Sequence, residues 1–250
     1  MDKVVVGGKP HSRVMVLDTP VDAVNMFEAL DLIESFLSEP RPHTVITLNS
    51  TGALLARRDP AWRSLLLTAS LVTADGAGVV WAMRRRGAVM HGRVTGVDLV
   101  LQMAELSADR GYRIYLLGGE PGVAERTADK LTLSYPGCHI VGYRHGYFPP
   151  ESDALVAAEV AETKPDILLV AMGQPRQEQF LAAHGATIGF RVGIGVGGSF
   201  DVVSGKVRRA PALFRRLSLE WLYRMFQDRK KFKRFLDLPR FVAAVLMDRK

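Results

Sequence analysis

The chain alternates short runs rich in β-branched residues with segments of helical periodicity, and this pattern continues as far as about residue 205. It begins with a predicted strand at residues 13–17, a helix at 21–37, a strand at 44–48 and a helix at 52–67. Such alternation is typical of βαβ units, in which parallel strands are joined by helices that cover the sheet. The pattern therefore predicts an α/β fold with one mostly parallel, Rossmann-like sheet and helices on both faces.

The remaining elements extend the same pattern. Strands are predicted at residues 71–73, 113–117, 139–141, 167–171 and 188–194, and helices at residues 96–110, 122–134, 153–163 and 176–184. Their lengths suit right-handed crossovers. The composition changes only near Gly205, so we expect an α/β domain over residues 1–205 and a basic helical appendage over residues 206–250.

The composition narrows the class of protein. A chain of 250 residues with 48% hydrophobic and 24% charged residues fits a well-packed globular fold and excludes disordered and fibrous classes. Cys138 is the single cysteine, so no internal disulfide can form. No apolar run reaches the roughly 18 residues that cross a bilayer, and no secretory leader is visible. We therefore expect a cytoplasmic protein.

The positive charge is concentrated in the appendage. Residues 206–250 contain 14 Lys or Arg against 4 Asp or Glu, a net charge of +10, which leaves −3 for the rest of a chain whose total is +7. Aromatic residues are interleaved with these cations. Two interpretations stand: an interface for nucleic acid, anionic lipid or a phosphorylated substrate, or a helical subdomain whose aromatic side chains pack on the core.

Polar residues follow the predicted strand at 167–171, in the sequence GQPRQE at residues 173–178. Because the carboxyl ends of parallel strands open into the ligand crevice, Gly173, Gln177 and Glu178 are candidate site residues. The alternative is an ordinary strand-to-helix turn with Pro175 at the first helical position.

Other strand ends also carry polar residues. Asp75 follows the strand at 71–73 and is a candidate general base, or else a cap for the helix that begins near residue 79. Arg93 is a candidate phosphate ligand or the partner of a surface acid. Thr47 and Asn49 end the strand at 44–48, where they are suited either to bind a sugar or to satisfy a turn.

Two glycine-rich segments suggest nucleotide binding. Gly193, Gly195 and Gly198 match the spacing of a dinucleotide fingerprint, but the acid expected after the next strand is missing, so we discount NAD and expect no cofactor. Gly118 and Gly119 join a strand to a helix, where their amides are suited to a diphosphate or their small size to a tight turn. No metal-binding motif is present, and we expect no metal site.

Nine short motifs together span nearly the whole chain: TLN at 47–49, ADG at 74–76, RVTGVD at 93–98, LGG at 117–119, GYF at 146–148, GQPRQE at 173–178, GGSFD at 197–201, RAP at 209–211 and EWLYR at 220–224. In content and order they resemble the WecG/TagA/CpsF glycosyltransferases. The resemblance implies inverting, metal-independent transfer of a sugar from a UDP-sugar to a saccharide on polyprenyl diphosphate, in surface polysaccharide synthesis at the cytoplasmic face of a bacterial membrane. The sugar would be N-acetylmannosamine, its uronic acid or glucose.

The resemblance also implies roles for residues of this chain. Asp75 resembles the base that deprotonates the acceptor. The expected substrate ligands are Thr47, Asn49, Arg93 and Gln177 for the sugar and diphosphate, Tyr147 and Asp201 for uridine, and Arg224, Lys231 and Arg234 for the cations of the appendage. The chain departs from the family pattern at residues 228–231, where DRKK replaces Glu-Pro and an arginine, so Arg229 or Lys230 stands as an alternative to Lys231.

Two other classes of function compete with this interpretation. A nonenzymatic nucleic-acid-binding module would use the basic appendage, but it leaves the strand-end residues without a role, and no nucleic-acid motif is recognisable. A soluble epimerase or dehydrogenase would need the nicotinamide site that the glycine pattern fails to provide. We expect no nucleic-acid partner and leave a homo-oligomer open.

Overall fold

The computed structural model describes residues 2–6, 9–211, 214, 223 and 237–248. The chain divides into two compact units. Unit 1 comprises residues 1–29, 47–95 and 207–250, and unit 2 comprises residues 30–46 and 96–206. The predicted boundary at residue 205 stays a prediction.

Six strands form one parallel sheet, which confirms the predicted α/β class. The strands are β4 (His43–Leu48), β5 (Leu71–Ala74), β6 (Arg113–Gly118), β7 (His139–Arg144), β8 (Ile167–Ala171) and β9 (Val192–Gly195), in the order β5-β4-β9-β8-β6-β7. All residues of β8 and β9 are buried, as expected for central strands with helices on both faces.

A second sheet, in unit 1, is antiparallel and was not predicted. It consists of β1 (Asp2–Val6), β2 (Lys9–Val16) and β3 (Thr19–Asp22). The prediction of a helix from residue 21 was therefore wrong over residues 21–25, since β3 ends at Asp22 and the helix begins at Met26. Leu17 and Asp18 form the turn with positive φ angles of 49° and 64°, and every residue of β3 is buried.

Most helices follow the predicted pattern, but the short helix at Ser199–Val203 was not predicted, and one predicted helix and one predicted strand need correction. The helices are α1 (Met26–Leu37), α2 (Ser50–Ala56), α3 (Pro60–Thr68), α4 (Ala77–Arg85), α5 (Gly96–Arg110), α6 (Val123–Ser134), α7 (Asp153–Glu162), α8 (Arg176–Ile188) and α9 (Ser199–Val203). The helix predicted at 52–67 is split because Asp59 caps α3 through the Trp62 amide at 3.0 Å and Pro60 begins the new helix. The strand predicted at 188–194 was placed too early, since Ile188 ends α8 and Gly189, with φ of 76°, caps it.

The last described helix, α10 (Asp237–Met247), packs within unit 1 on α2 and α4. Phe241 and Val245 are buried, and Gly78 of α4 lies against Phe241. Polar contacts hold both ends of the helix: Thr51 Oγ1 donates to Asp237 at 3.1 Å, and Arg86 pairs with Asp248 at 2.7 Å. This helix therefore packs on the protein through its apolar side chains. Within the described ranges, no helix is both long and apolar enough to cross a membrane.

Candidate active site

Thr47 and Asn49 lie at the carboxyl end of β4, in unit 1. Thr47 is buried, whereas Asn49 is exposed and caps α2 by accepting a hydrogen bond from the Gly52 amide at 3.0 Å. The side-chain oxygen of Asn49 thus satisfies the helix terminus, as the turn interpretation predicts. Contact of either residue with a sugar stays a prediction.

Asp75 follows β5 and is partly exposed. Its amide donates to the Leu48 carbonyl at 2.8 Å, which brings the ends of β4 and β5 together. The N-cap of α4 is Gly76, with φ of 114° and no side-chain cap hydrogen bond. The choice between a general base and a helix cap for the Asp75 carboxylate stays a prediction.

Arg93 is held beside the same strand end by its neighbour in the chain. The Val94 amide donates to the Ala74 carbonyl at 3.1 Å, and the Val94 carbonyl accepts from Thr73 Oγ1 at 3.3 Å. Arg93 itself is partly exposed. Unit 1 thus gathers four predicted site residues, namely Thr47, Asn49, Asp75 and Arg93, at the carboxyl ends of two adjacent strands.

The loops at the carboxyl ends of β6, β7 and β8, in unit 2, are joined by backbone hydrogen bonds. Gly119 N donates to the Ala171 carbonyl at 2.9 Å, and Gly146 N donates to the Gly119 carbonyl at 2.9 Å. Gly118 has φ of 138°, and a Cβ atom there would overlap the Ala171 carbonyl. Since the Gly119 amide is engaged, the structure supports the steric role of these glycines, and their contact with a diphosphate stays a prediction.

Gln177 joins two further loops through its side chain. Its Oε1 accepts from Gly173 N at 3.1 Å, after β8, and from Gly197 N at 3.0 Å, after β9. Its Nε2 donates to Glu178 Oε1 at 2.7 Å. Gln177 and Glu178 are both buried, so in this structure their polar side chains form hydrogen bonds inside the protein. Contact of Gln177, Glu178 or Gly173 with substrate remains a prediction.

The carboxyl group of Glu178 has an unusual environment. Burial raises its pKa to about 7, which the hydrogen bond from Gln177 only partly opposes. Among the described residues its Oε2 has no hydrogen-bond partner. A substantial fraction of the molecules therefore carries this side chain in its neutral form near pH 7.

The two predicted uridine ligands lie on different loops of unit 2. Tyr147 is 67% exposed after β7, and its amide donates to His145 Nδ1 at 3.2 Å. Asp201 lies in the first turn of α9, where Lys206 Nζ is 3.4 Å from its Oδ1 and 2.9 Å from Glu120. Lys206 thus links α9 to the loop after β6. The sequence places Lys206 directly after Gly205, at the start of the basic appendage, but does not predict this contact.

The remaining predicted ligands, Arg224, Lys231 and Arg234, lie outside the described residues, as do the alternatives Arg229 and Lys230. Across the ranges that the structure describes, no three His, Cys, Asp or Glu side chains are grouped so that they could hold a metal ion.

Comparison with known proteins decides between the classes of function. The model of the glycosyl transferase WecG/TagA/CpsF family matches residues 14–250. The chain belongs to this family. The resemblance inferred from the nine motifs is confirmed, and the chain is a glycosyltransferase rather than a nucleic-acid-binding module, an epimerase or a dehydrogenase.

Individual family members show strong similarity over most of the chain. A Bacillus subtilis protein is 33% identical over 227 residues, covering 90% of this chain and 88% of its own. A Bacillus spizizenii protein is 32% identical over 212 residues, covering 85% and 82%, and a Staphylococcus aureus protein is 30% identical over 236 residues, covering 94% and 92%. All three are named N-acetylglucosaminyldiphosphoundecaprenol N-acetyl-β-D-mannosaminyltransferase.

Proposed function

We propose that this glycosyltransferase moves a sugar from a UDP-sugar to a saccharide carried on polyprenyl diphosphate, with inversion and without a metal ion. The names of the relatives support N-acetylmannosamine as the sugar, ahead of its uronic acid and glucose, and N-acetylglucosaminyl-diphosphoundecaprenol as the acceptor. Those names specify a β linkage, which inversion would produce from an α-linked donor.

Asp75 carries the proposal. An uncharged hydroxyl group is a poor nucleophile, so a carboxylate within about 3 Å assists by removing its proton. The acceptor oxygen then forms a bond to the anomeric carbon, and the bond from that carbon to the diphosphate oxygen breaks. The electron pair leaves with UDP, and Asp75 later releases the proton to water. The observation that supports this role is that Asp75 is partly exposed and directly follows β5.

Cationic side chains would offset the charge that develops on the leaving diphosphate. Arg93 is the candidate in the described part of the chain, because the hydrogen bond between Val94 and Ala74 holds it beside the end of β5. By resemblance, the appendage would add Arg224, Lys231 and Arg234, with Arg229 or Lys230 as alternatives to Lys231. Thr47, Asn49 and Gln177 would contribute polar contacts to the sugar and diphosphate.

The uridine would contact Tyr147 and Asp201 in unit 2. Tyr147 presents an exposed ring that is suited to contact with a base, and Asp201 has a carboxylate suited to ribose hydroxyl groups. The Lys206 ammonium beside Asp201 would hold that carboxylate in place.

The acceptor places the reaction at a membrane. A polyprenyl chain remains in the bilayer, so the enzyme would work as a peripheral protein on the cytoplasmic face. The excess of Lys and Arg after residue 205 supports this location, because basic segments are attracted to anionic lipid.

The decisive experiment measures UDP release with the three candidate UDP-sugars, with and without a polyprenyl-diphosphate-linked N-acetylglucosamine, in the presence of EDTA. Release that needs the acceptor and survives EDTA is the expected result, with UDP-N-acetylmannosamine as the best donor. Release that EDTA abolishes would contradict metal independence. An absence of release with every pair, despite UDP binding, would contradict the proposed donor or acceptor.

A further inference from the structure

Four neighbouring loops of unit 2 are linked in series at the carboxyl ends of their strands. Backbone hydrogen bonds connect the loop after β7 to that after β6, and the loop after β6 to the end of β8. The loops after β8 and β9 are connected differently, because Gly173 N and Gly197 N both donate to Gln177 Oε1. A backbone hydrogen bond from Val196 N to the Val170 carbonyl, of 2.8 Å, also holds the first residue after β9 to β8, but the link between Gly173 and Gly197 depends on the orientation of one side-chain amide.

Only one orientation of the Gln177 amide serves both loops. The carbonyl oxygen can accept two hydrogen bonds, whereas a rotated amide would turn its NH2 group towards two N–H donors. Glu178 selects the observed orientation, because its Oε1 accepts from Gln177 Nε2 at 2.7 Å. An acceptor at this place is compatible with Nε2 and not with the carbonyl oxygen of a rotated amide.

The fold reserves space for this pair. A Cβ atom on Gly195 of β9 would lie 2.5 Å from Gln177 Nε2 and 2.7 Å from Glu178 Oε1. Both distances are shorter than a real Cβ contact, so any side chain at position 195 would displace the pair. Glycine at the end of this strand is thus explained by the close approach of the two polar side chains.

The charged groups on the surrounding elements are directed to other partners. On α8, Arg176 binds Asp153, and His184 lies 4.0 Å from the same carboxylate. On α9, Asp201 is paired with Lys206. The strands β8 and β9 carry no ionisable side chain. In the described part of the chain, the hydrogen bonds to the Glu178 carboxyl group therefore come from amide groups and not from charged side chains.

We propose that Glu178 is a positioning residue, which holds the Gln177 amide in the orientation that joins the loops after β8 and β9. Through this link Glu178 holds in place the part of unit 2 that the proposed function assigns to the UDP-sugar. The expected effect on substrate binding therefore rests on the proposed function. Glu178 makes no contact with substrate in this role. A neutral acceptor at position 178 is sufficient for it.

The test compares Glu178→Gln, which keeps an acceptor, with Glu178→Met, which has a similar shape and none. Amide hydrogen exchange at Gly173 and Gly197 reports the link without any substrate. Steady-state kinetics with the UDP-sugar then separates KM from kcat. We expect Glu178→Gln to resemble the wild type, and Glu178→Met to exchange faster at both glycines and to raise KM about tenfold, as for a lost buried hydrogen bond.

A matched control removes a different buried polar group from unit 2. Ser107 Oγ donates to the Tyr112 carbonyl at 2.6 Å and accepts from His139 N at 2.9 Å, away from the loops after β8 and β9. Ser107→Ala should lower stability without changing KM or the exchange of Gly173 and Gly197. Should Glu178→Met fail to fold, Glu178→Asp replaces it, since the shorter side chain withdraws the carboxyl group from Nε2 and should give the same two effects.

Two results would overturn the proposal. One is wild-type exchange at Gly173 and Gly197 in Glu178→Met or Glu178→Asp, and the other is a Glu178→Gln variant as impaired as Glu178→Met. Failure of the proposed function is a separate outcome. If the wild-type protein releases no UDP, the exchange measurements still test the role of Glu178.

Discussion

Asp22 holds the guanidinium group of Arg13 with two hydrogen bonds, of 2.7 and 2.9 Å, across the antiparallel pair β2 and β3. The carboxylate of Asp22 is fully buried and also accepts from Val72 N of β5 at 2.8 Å. One acid thus connects the antiparallel sheet of unit 1 to a strand of the parallel sheet. Removing one member of a buried ion pair leaves the other charge without compensation.

Asp22→Ala should therefore lower the free energy of unfolding by about 3–5 kcal/mol, measured by urea denaturation. Asp18→Asn is the control, because Asp18 is exposed in the adjacent turn with φ of 64°, a conformation that asparagine tolerates. Equal stability of the two variants would show that the Asp22 contacts are not important for unit 1.

Asp75→Asn tests the proposed role of Asp75 as the general base. The amide cannot accept the proton of the acceptor hydroxyl, so turnover should fall by about 100-fold or more while the UDP-sugar still binds. Calorimetric binding and a UDP-release assay measure the two effects separately. Asp59→Asn makes the same chemical change in unit 1 and should leave turnover intact, because asparagine also caps α3. Undiminished turnover in Asp75→Asn would remove Asp75 from its proposed role.

The pH dependence of stability tests the state of Glu178. Burial raises its pKa from 4.5 to about 7, so between these values the unfolded chain loses a proton that the folded chain keeps. The contribution of this group to the free energy of unfolding therefore falls as the pH rises through this window, by roughly 3 kcal/mol in all, and it changes no further above the window.

Glu178→Gln cannot ionise and should lack this part of the dependence. Urea denaturation of both proteins at pH 4.5 and pH 8 measures it as a difference, which cancels the titration of all other groups. We expect the wild type to lose roughly 3 kcal/mol more than the variant between these two values. Parallel losses in the two proteins would mean that Glu178 ionises normally in the folded state.

Phe241 tests the docking of α10 in unit 1. Truncation of a fully buried phenylalanine leaves a cavity, so Phe241→Ala should cost about 3–5 kcal/mol of unfolding free energy. Met247, on the same helix, is 75% exposed, and Met247→Ala should change stability by less than about 0.5 kcal/mol. If urea denaturation gives similar values for both variants, the helix does not contribute to the stability of unit 1 by packing.

The parts of the fold that were predicted correctly have strong local signals. β8 was placed at its observed bounds because five consecutive buried apolar residues leave little choice, and α5 because its periodicity continues over fifteen residues. β3 was missed because it has only four residues and because its buried acid depends on Arg13 and on Val72, which is distant in the sequence. No local pattern contains that information.

The candidate site was predictable in its residues more than in their roles. The sequence places Asp75 at a strand end, which the structure confirms, but no local pattern distinguishes a general base from a helix cap at this position. Similarly, the segment at 173–178 suggests polar groups open to a ligand, whereas Gln177 and Glu178 are buried together. The inward orientation of these two side chains depends on the space that Gly195 leaves, and Gly195 belongs to another strand.

The division of the chain has a consequence for its synthesis on the ribosome. Unit 2 has its whole sequence once residue 206 has been made, whereas unit 1 also needs residues 207–250. Until Phe241 is translated, the surface around Gly78 has no aromatic ring to cover it. Unit 2 can therefore reach its folded state while unit 1 still lacks a helix, and the nascent chain exposes apolar surface on unit 1 during that interval.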